Sequence, residues 1–141
     1  MKYWIALVVC LVALAGLTAC GGDDNSKEDA RVSAIGALSE NAVDAWTANG
    51  PAGLYNILHQ DVMATCSVED FDAAMADQPQ PTAWRNTKDI KLQGDDLSTA
   101  TATVTIVADG QDIEQPWSFG LENNVRWRVT DMPGLSGCVS Q

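Results

Sequence analysis

Residues 99–131 read TATATVTIVADGQDIEQPWSFGLENNVRWRVTD. Apolar and polar side chains alternate here with a period of two, the mark of strands with one buried face. Asp109-Gly110 is the dipeptide that a two-residue hairpin loop demands, because both positions must accept a positive φ. That turn sets Ile106 opposite Ile113, Ala102 opposite Trp117 and Ala100 opposite Phe119. Small residues then face large ones on one side, as a packed face requires.

The next turn is a stricter test of register. A two-residue loop at Asn123-Asn124 would put Trp127 opposite Gly120, on the face away from Trp117 and Phe119. A three-residue loop, Glu122 to Asn124, pairs Leu121 with Val125, Phe119 with Trp127 and Trp117 with Val129. Asn tolerates the left-handed position of such a loop, and a one-residue slip would turn every side chain over. The longer loop is therefore expected. It predicts an apolar face of Ala100, Ala102, Val104, Ile106, Ile113, Trp117, Phe119, Leu121, Val125, Trp127 and Val129. The opposite face carries Thr99, Thr101, Thr103, Thr105, Asp112, Glu114, Ser118, Arg126 and Arg128. Pro116 falls on the polar side and predicts an exposed edge or a bulge. Lys88 to Leu92 alternates likewise and adds a strand.

Upstream, the period changes to that of helices. Val32, Ile35, Leu38, Ala42, Val43 and Trp46 recur at helical spacing from Asp29 onward, with Ser26 and Asp29 as a capping pair and Asn49-Gly50-Pro51 as the stop. Pro51 suits the first turn of a short second helix carrying Leu54, Tyr55 and Leu58. Asp61 to Thr65 reads as a short strand. Ser67-Val68-Glu69-Asp70 is a capping box that opens a third helix through Phe71, Ala74 and Met75, stopped by Gln78-Pro79-Gln80-Pro81. The fold class is thus α+β: three N-terminal helices covering the apolar face of a curved antiparallel sheet of four to five strands.

The hairpin from Trp117 to Asp131, with its aromatic strand, charged turn and Trp127-Arg128-Val129, resembles the end of an NTF2-like domain of the cystatin-like superfamily. The likeness covers about residues 29–131. It implies a cone whose mouth lies between the curved sheet and its helices. Ketosteroid isomerase-like and dehydratase-like relatives place Asp, Tyr or His inside that cone. This chain departs from them, because its inward sheet positions are aliphatic or aromatic, with Gln115 the polar one.

The first residues are of another kind. Lys2 precedes a nearly unbroken apolar run from Tyr3 to Leu17, and the run closes on Leu17-Thr18-Ala19-Cys20. That is the architecture of a secretory signal peptide, residues 1–19. Its ending resembles the bacterial lipobox, which implies that Cys20 receives a diacylglycerol thioether and palmitate-type acyl chains and becomes the mature N-terminus. Acyl chains at about 0.8 kcal/mol per buried CH₂ make a durable anchor. Residues 20–28 then read as the lipidated cysteine and a flexible acidic tether, and residues 29–141 as one domain. The expected location is the bacterial cell envelope, on the extracytoplasmic side of a membrane.

Removing the signal also sharpens the charge. The whole chain has a formal net charge of −11, whereas residues 20–141 carry 7 basic and 19 acidic side chains, a net of −12. Such acidity disfavours phosphate backbones, so no nucleic acid is expected as a partner. Of four cysteines, Cys10 lies in the signal and Cys20 is the acylation site. Cys66 and Cys138 remain in an exported domain, where disulfides persist, and are expected to pair. Two thiols and a distant His59 do not make a zinc ligand set, and no phosphate-binding loop or nucleophile elbow occurs, so neither metal nor cofactor is expected.

The candidate sites are few. Tyr55, Trp117, Phe119 and Trp127 would line a pocket for a small apolar ligand, or else fill the core. His59 and Asp61 form a His–carboxylate pair suited to proton transfer, although a histidine at a helix end commonly just meets the final carbonyls. Arg126 and Arg128 would pair with Asp112 or Glu114 across the outer face. The threonine-rich face would serve a homodimer. These features point first to a non-catalytic module that binds a small apolar ligand or an envelope partner. The alternatives are an isomerase- or dehydratase-like enzyme with Asp61 or His59 as base, and a structural dimerisation module.

Overall fold

The computed structural model describes residues 23–139. The signal peptide and Cys20 lie outside the described residues. The chain runs α1 (Asp23–Asn49), α2 (Pro51–Tyr55), α3 (Gln60–Thr65), α4 (Val68–Met75), β1 (Ala83–Gln93), β2 (Thr99–Ala108), β3 (Gln111–Glu122), β4 (Arg126–Asp131) and α5 (Ser136–Val139). The four strands form one open antiparallel sheet in the order β1-β2-β3-β4, and α1 packs on it against β1 and β4.

Helix α1 buries one stripe, Ile35, Ser39, Ala42, Val43 and Trp46, at the spacing of a helix face. Ser39 is tolerated at full burial because its hydroxyl donates to the Ile35 carbonyl oxygen at 2.8 Å. The helix begins six residues before Asp29, so residues 23–28 are helical where an irregular tether is expected, and Ser26 lies inside the helix rather than at its cap. At the other end the Gly50 N–H bonds to the Trp46 carbonyl at 2.8 Å, and Gly50 turns the chain with φ 67°. Pro51 then opens α2. Gly53 lets α2 lie directly on α1, since a Cβ there would stand 2.8 Å from the carbonyl carbon of Ala45.

One segment changes class. Residues 61–65 belong to helix α3 and not to a strand. The strand-like pairing falls just upstream, where His59 N–H bonds to the Val129 carbonyl at 2.8 Å and Val129 N–H to the Ile57 carbonyl at 3.0 Å. A single parallel bridge, Leu58 to Val129, thereby covers the open edge of β4. The capping box at α4 is as expected: the Ser67 hydroxyl accepts from Asp70 N–H at 3.1 Å.

The β2–β3 register matches the reading from the turn, with Ile106 opposite Ile113, Ala102 opposite Trp117 and Ala100 opposite Phe119. Asp109 and Gly110 have φ of 51° and 76°, the paired left-handed conformation of that hairpin. The β3–β4 register differs. Glu122 faces Arg126, Leu121 faces Trp127 and Phe119 faces Val129, so the strands are offset by two residues from the expected pairing. Both Asn123 and Asn124 take positive φ, Val125 N–H bonds back to the Glu122 carbonyl at 3.1 Å, and Val125 is the extra residue. An offset of two keeps each side chain on its face, so Trp127 and Val129 are still inward. Val125 itself leaves the apolar face and is 83 % exposed.

Strand β1 is longer than the five residues its alternation suggests, because it breaks register between Trp84 and Asn86 and again between Lys88 and Lys91. Asp89 takes φ 53° in the second break. Such bulges bend and twist an edge strand, and they hide the period-two pattern. Pro116 pairs with Thr103 in the part of β3 that β4 does not reach, an exposed edge as its position on the polar side suggests.

The disulfide joins Cys66, at the end of α3, to Cys138 in α5, with Cα atoms 5.5 Å apart and a sequence separation of 72. Both half-cystines are buried in the same core as Trp46, Phe71, Trp117 and Leu135. For a loop of this length chain-entropy reasoning assigns the bridge about 4 kcal/mol. Replacing Cys66 and Cys138 together by serine is expected to lower unfolding free energy by about that amount in urea titrations. Two thiols reactive in non-reduced, unfolded wild-type protein would show that the bridge does not form.

Candidate functional site

Of the four aromatic residues expected to line a pocket, Trp117, Phe119 and Trp127 lie in the core, and Tyr55 packs against it. Trp117 and Phe119 lie side by side on β3, ring centroids 6.3 Å apart, each only 1 % exposed, and Trp127 is 7 % exposed. The Trp117 indole N–H donates to Gln115 Oε1 at 3.1 Å, which satisfies the inward polar residue of the sheet within the core. Tyr55 packs its ring against Phe71 at 5.9 Å and donates its hydroxyl to the Cys66 carbonyl at 2.7 Å. These rings belong to one continuous core with α1, α2 and α4, and Tyr55 braces the disulfide's backbone.

The polar cluster lies elsewhere, on the outer side of the β3–β4 hairpin. His59 is the N-cap of α3, and its Nδ1 accepts from Asp61 N–H at 3.3 Å. The same Nδ1 is 3.4 Å from the Asp61 carboxylate. The two contacts are alternatives: a neutral ring with its proton on Nε2 caps the helix, and a protonated ring pairs with the carboxylate. The ring lies over Gly120, where a Cβ would be in ordinary contact with His59 Cδ2 at 3.5 Å but would crowd the Thr130 methyl at 2.9 Å.

Next to it, Glu122 and Arg128 form an ion pair at 3.5 Å with both side chains mostly buried. Glu122 accepts from Gln60 N–H at 3.1 Å, and Arg128 donates to the Asn56 carbonyl at 2.8 Å. Together they lock the α2–α3 connection onto the hairpin. Arg128 therefore pairs with Glu122 and not with Asp112 or Glu114, which lie in the part of β3 that β4 does not reach. Those two carboxylates instead meet cations that reach over β2 from β1: Arg85 to Asp112 at 3.2 Å, and Lys88 to Glu114. The Glu114 hydrogen bond raises the Lys88 pKa above its ordinary value.

Between those bridges and the sheet's near end lies a shallow depression of about 360 Å³ on the outer face, lined by Asp89, Lys91, Thr101, Thr103, Pro116 and Ser118 among others. It sits on the threonine face expected for a homodimer. Among the described residues no three His, Cys, Asp or Glu side chains converge as a metal site would require.

A second polar junction escaped the reading of the sequence. The Arg31 guanidinium donates to the carbonyl oxygens of Asp96 and Leu97, the latter at 2.7 Å, and so fastens α1 to the β1–β2 loop. The Asp96 carboxylate accepts from Ser98 N–H at 3.1 Å. The Ser98 side chain first, then that backbone bond, hold its pKa below the ordinary carboxylate value, with Arg31 adding to the effect. The Gly94-Asp95-Asp96 run is the only signal of this loop in the sequence, and nothing in it indicates Arg31.

Two expectations follow. His59→Ala removes the α3 cap and is expected to lower stability by about 1 kcal/mol in chemical denaturation, whereas His59→Asp, which caps equally well, is expected to leave it near wild type. A depressed carboxylate pKa stabilises the fold above its unfolded value and loses that contribution as pH falls through the folded one. The stability difference between wild type and Asp96→Asn is therefore expected to be constant at neutral pH and to vanish on acidification below the ordinary value of 3.8. No protein-family model, curated protein or solved structure matches the chain.

Proposed function

We propose that this chain is a lipid-anchored extracytoplasmic bacterial lipoprotein, whose single domain is an NTF2-like module that binds an envelope partner without catalysis. The observation that carries the reading is the Cys66–Cys138 bridge. Structural disulfides persist in oxidising compartments, and this one is independent of the signal and lipobox pattern that points to the same place.

The NTF2-like assignment rests on the helix-on-meander architecture and on the Trp117–Asp131 hairpin. A macromolecular partner is favoured over a small apolar ligand because Trp117 and Phe119 are each 1 % exposed and committed to the core. Two placements weigh against an isomerase- or dehydratase-like base. The Asp61 side chain is 84 % exposed, and the His59 ring lies over Gly120 on the sheet's outer side. An enzyme of that kind needs its base beside a shielded opening.

The test begins with the anchor. In a bacterial host fed labelled palmitate, the wild-type protein is expected to take up label and sediment with membranes, and Cys20→Ala to do neither. An unlabelled wild-type protein, or a Cys20→Ala variant that still carries label, would sink the reading. Native mass spectrometry of the membrane-extracted protein then separates the two binding modes: a retained apolar small molecule would replace the partner reading with the ligand one.

A further inference from the structure

The two ends of the sheet are unlike, and α1 runs from one to the other. The β1–β2 loop and the Asn123–Val125 turn share one end, where Leu121 N–H bonds to the Ser98 carbonyl at 2.8 Å. The Asp109-Gly110 turn marks the opposite end. Near the first end Arg31 fastens α1 to Asp96 and Leu97. Near the second, the Trp46 indole donates to Gln80 Oε1 at 3.1 Å, just ahead of β1. Helix α1 is thus clamped along the sheet at both ends, antiparallel to β1, and its first turns lead away from the loop end.

Helix α1 is described from Asp23, and Cys20 stands three residues before that in the sequence. Three Cα–Cα steps of 3.8 Å reach at most about 11 Å. Resting on the acylation of Cys20 proposed above, we infer that α1 is a rigid post that stands the domain on the phospholipid surface in one orientation. The Asp95–Leu97 loop and the Asn123–Val125 turn face the headgroups, and the Asp109-Gly110 turn and the sheet's outer face are presented to the aqueous side. An envelope partner then meets a fixed surface at a fixed height instead of a domain swinging on a leash.

The bridge and the acylation leave no free thiol in the mature chain, so a single added cysteine can carry a fluorophore. Full-length lipidated protein with Asp95→Cys or Gln111→Cys would be placed in vesicles of phosphatidylethanolamine and phosphatidylglycerol containing a headgroup acceptor dye. Energy transfer is expected to put the Gln111 label about 30 Å farther from the headgroup plane than the Asp95 label, the length of a ten-residue strand. A long Gly/Ser insert between Gly22 and Asp23 is expected to abolish that difference while leaving the protein on the vesicles. Equal or reversed distances in protein that floats with the vesicles would overturn the post and spare the anchor. Protein that does not float would overturn both.

Discussion

The cross-strand pairing of Ala100 with Phe119 and Ala102 with Trp117 is the constraint on which the domain depends. Two alanines on β2 leave room for the large rings of β3, in the core that they share with the buried stripe of α1. Any larger side chain at either alanine would have to displace a ring that is already fully buried, at a cost of about 1–3 kcal/mol. Because Asp109 and Gly110 dictate the hairpin, the small-to-large match is not an accident of packing. It is set by the turn and then filled by the helices, with Trp46, Leu54, Phe71 and Met75 closing over it.

How much of this was legible depended on whether the governing signal was local. The β2–β3 register could be read because one turn specifies it and two faces check it. The β3–β4 register was right in face and wrong by two residues. The facing rule constrains only parity, and Val125, an apolar residue, looked like a member of the buried set. Strand β1 was underestimated for a different reason: its two bulges spoil the alternation that identifies a strand. The Asp61–Thr65 segment is too short for its period to distinguish strand from helix, and what decides it is the His59 cap together with the pairing of residues 57–59 to β4.

The polar contacts were the least legible, since they join residues far apart in the chain. Arg128 meets Glu122 only in the observed register, and Arg31 meets the β1–β2 loop 65 positions away. His59 and Asp61 were singled out as a proton-transfer pair, and their geometry is that of a helix cap laid on a glycine. Trp117, Phe119 and Trp127 are part of the continuous core, and Tyr55 packs against it. Surface chemistry thus has more room for function than the interior does: the outer face carries the ion pairs spanning β2, the depression beside Pro116 and the rows of threonine.

The Cys66–Cys138 bridge closes a ring that contains α4 and the whole sheet, while α1 stands outside it. A single proteolytic cut anywhere between those cysteines therefore releases nothing. Both pieces stay covalently joined to each other and to α1. The domain can be nicked in an exposed loop such as Gly94 to Ser98 and still be retained as one body until the bridge is reduced.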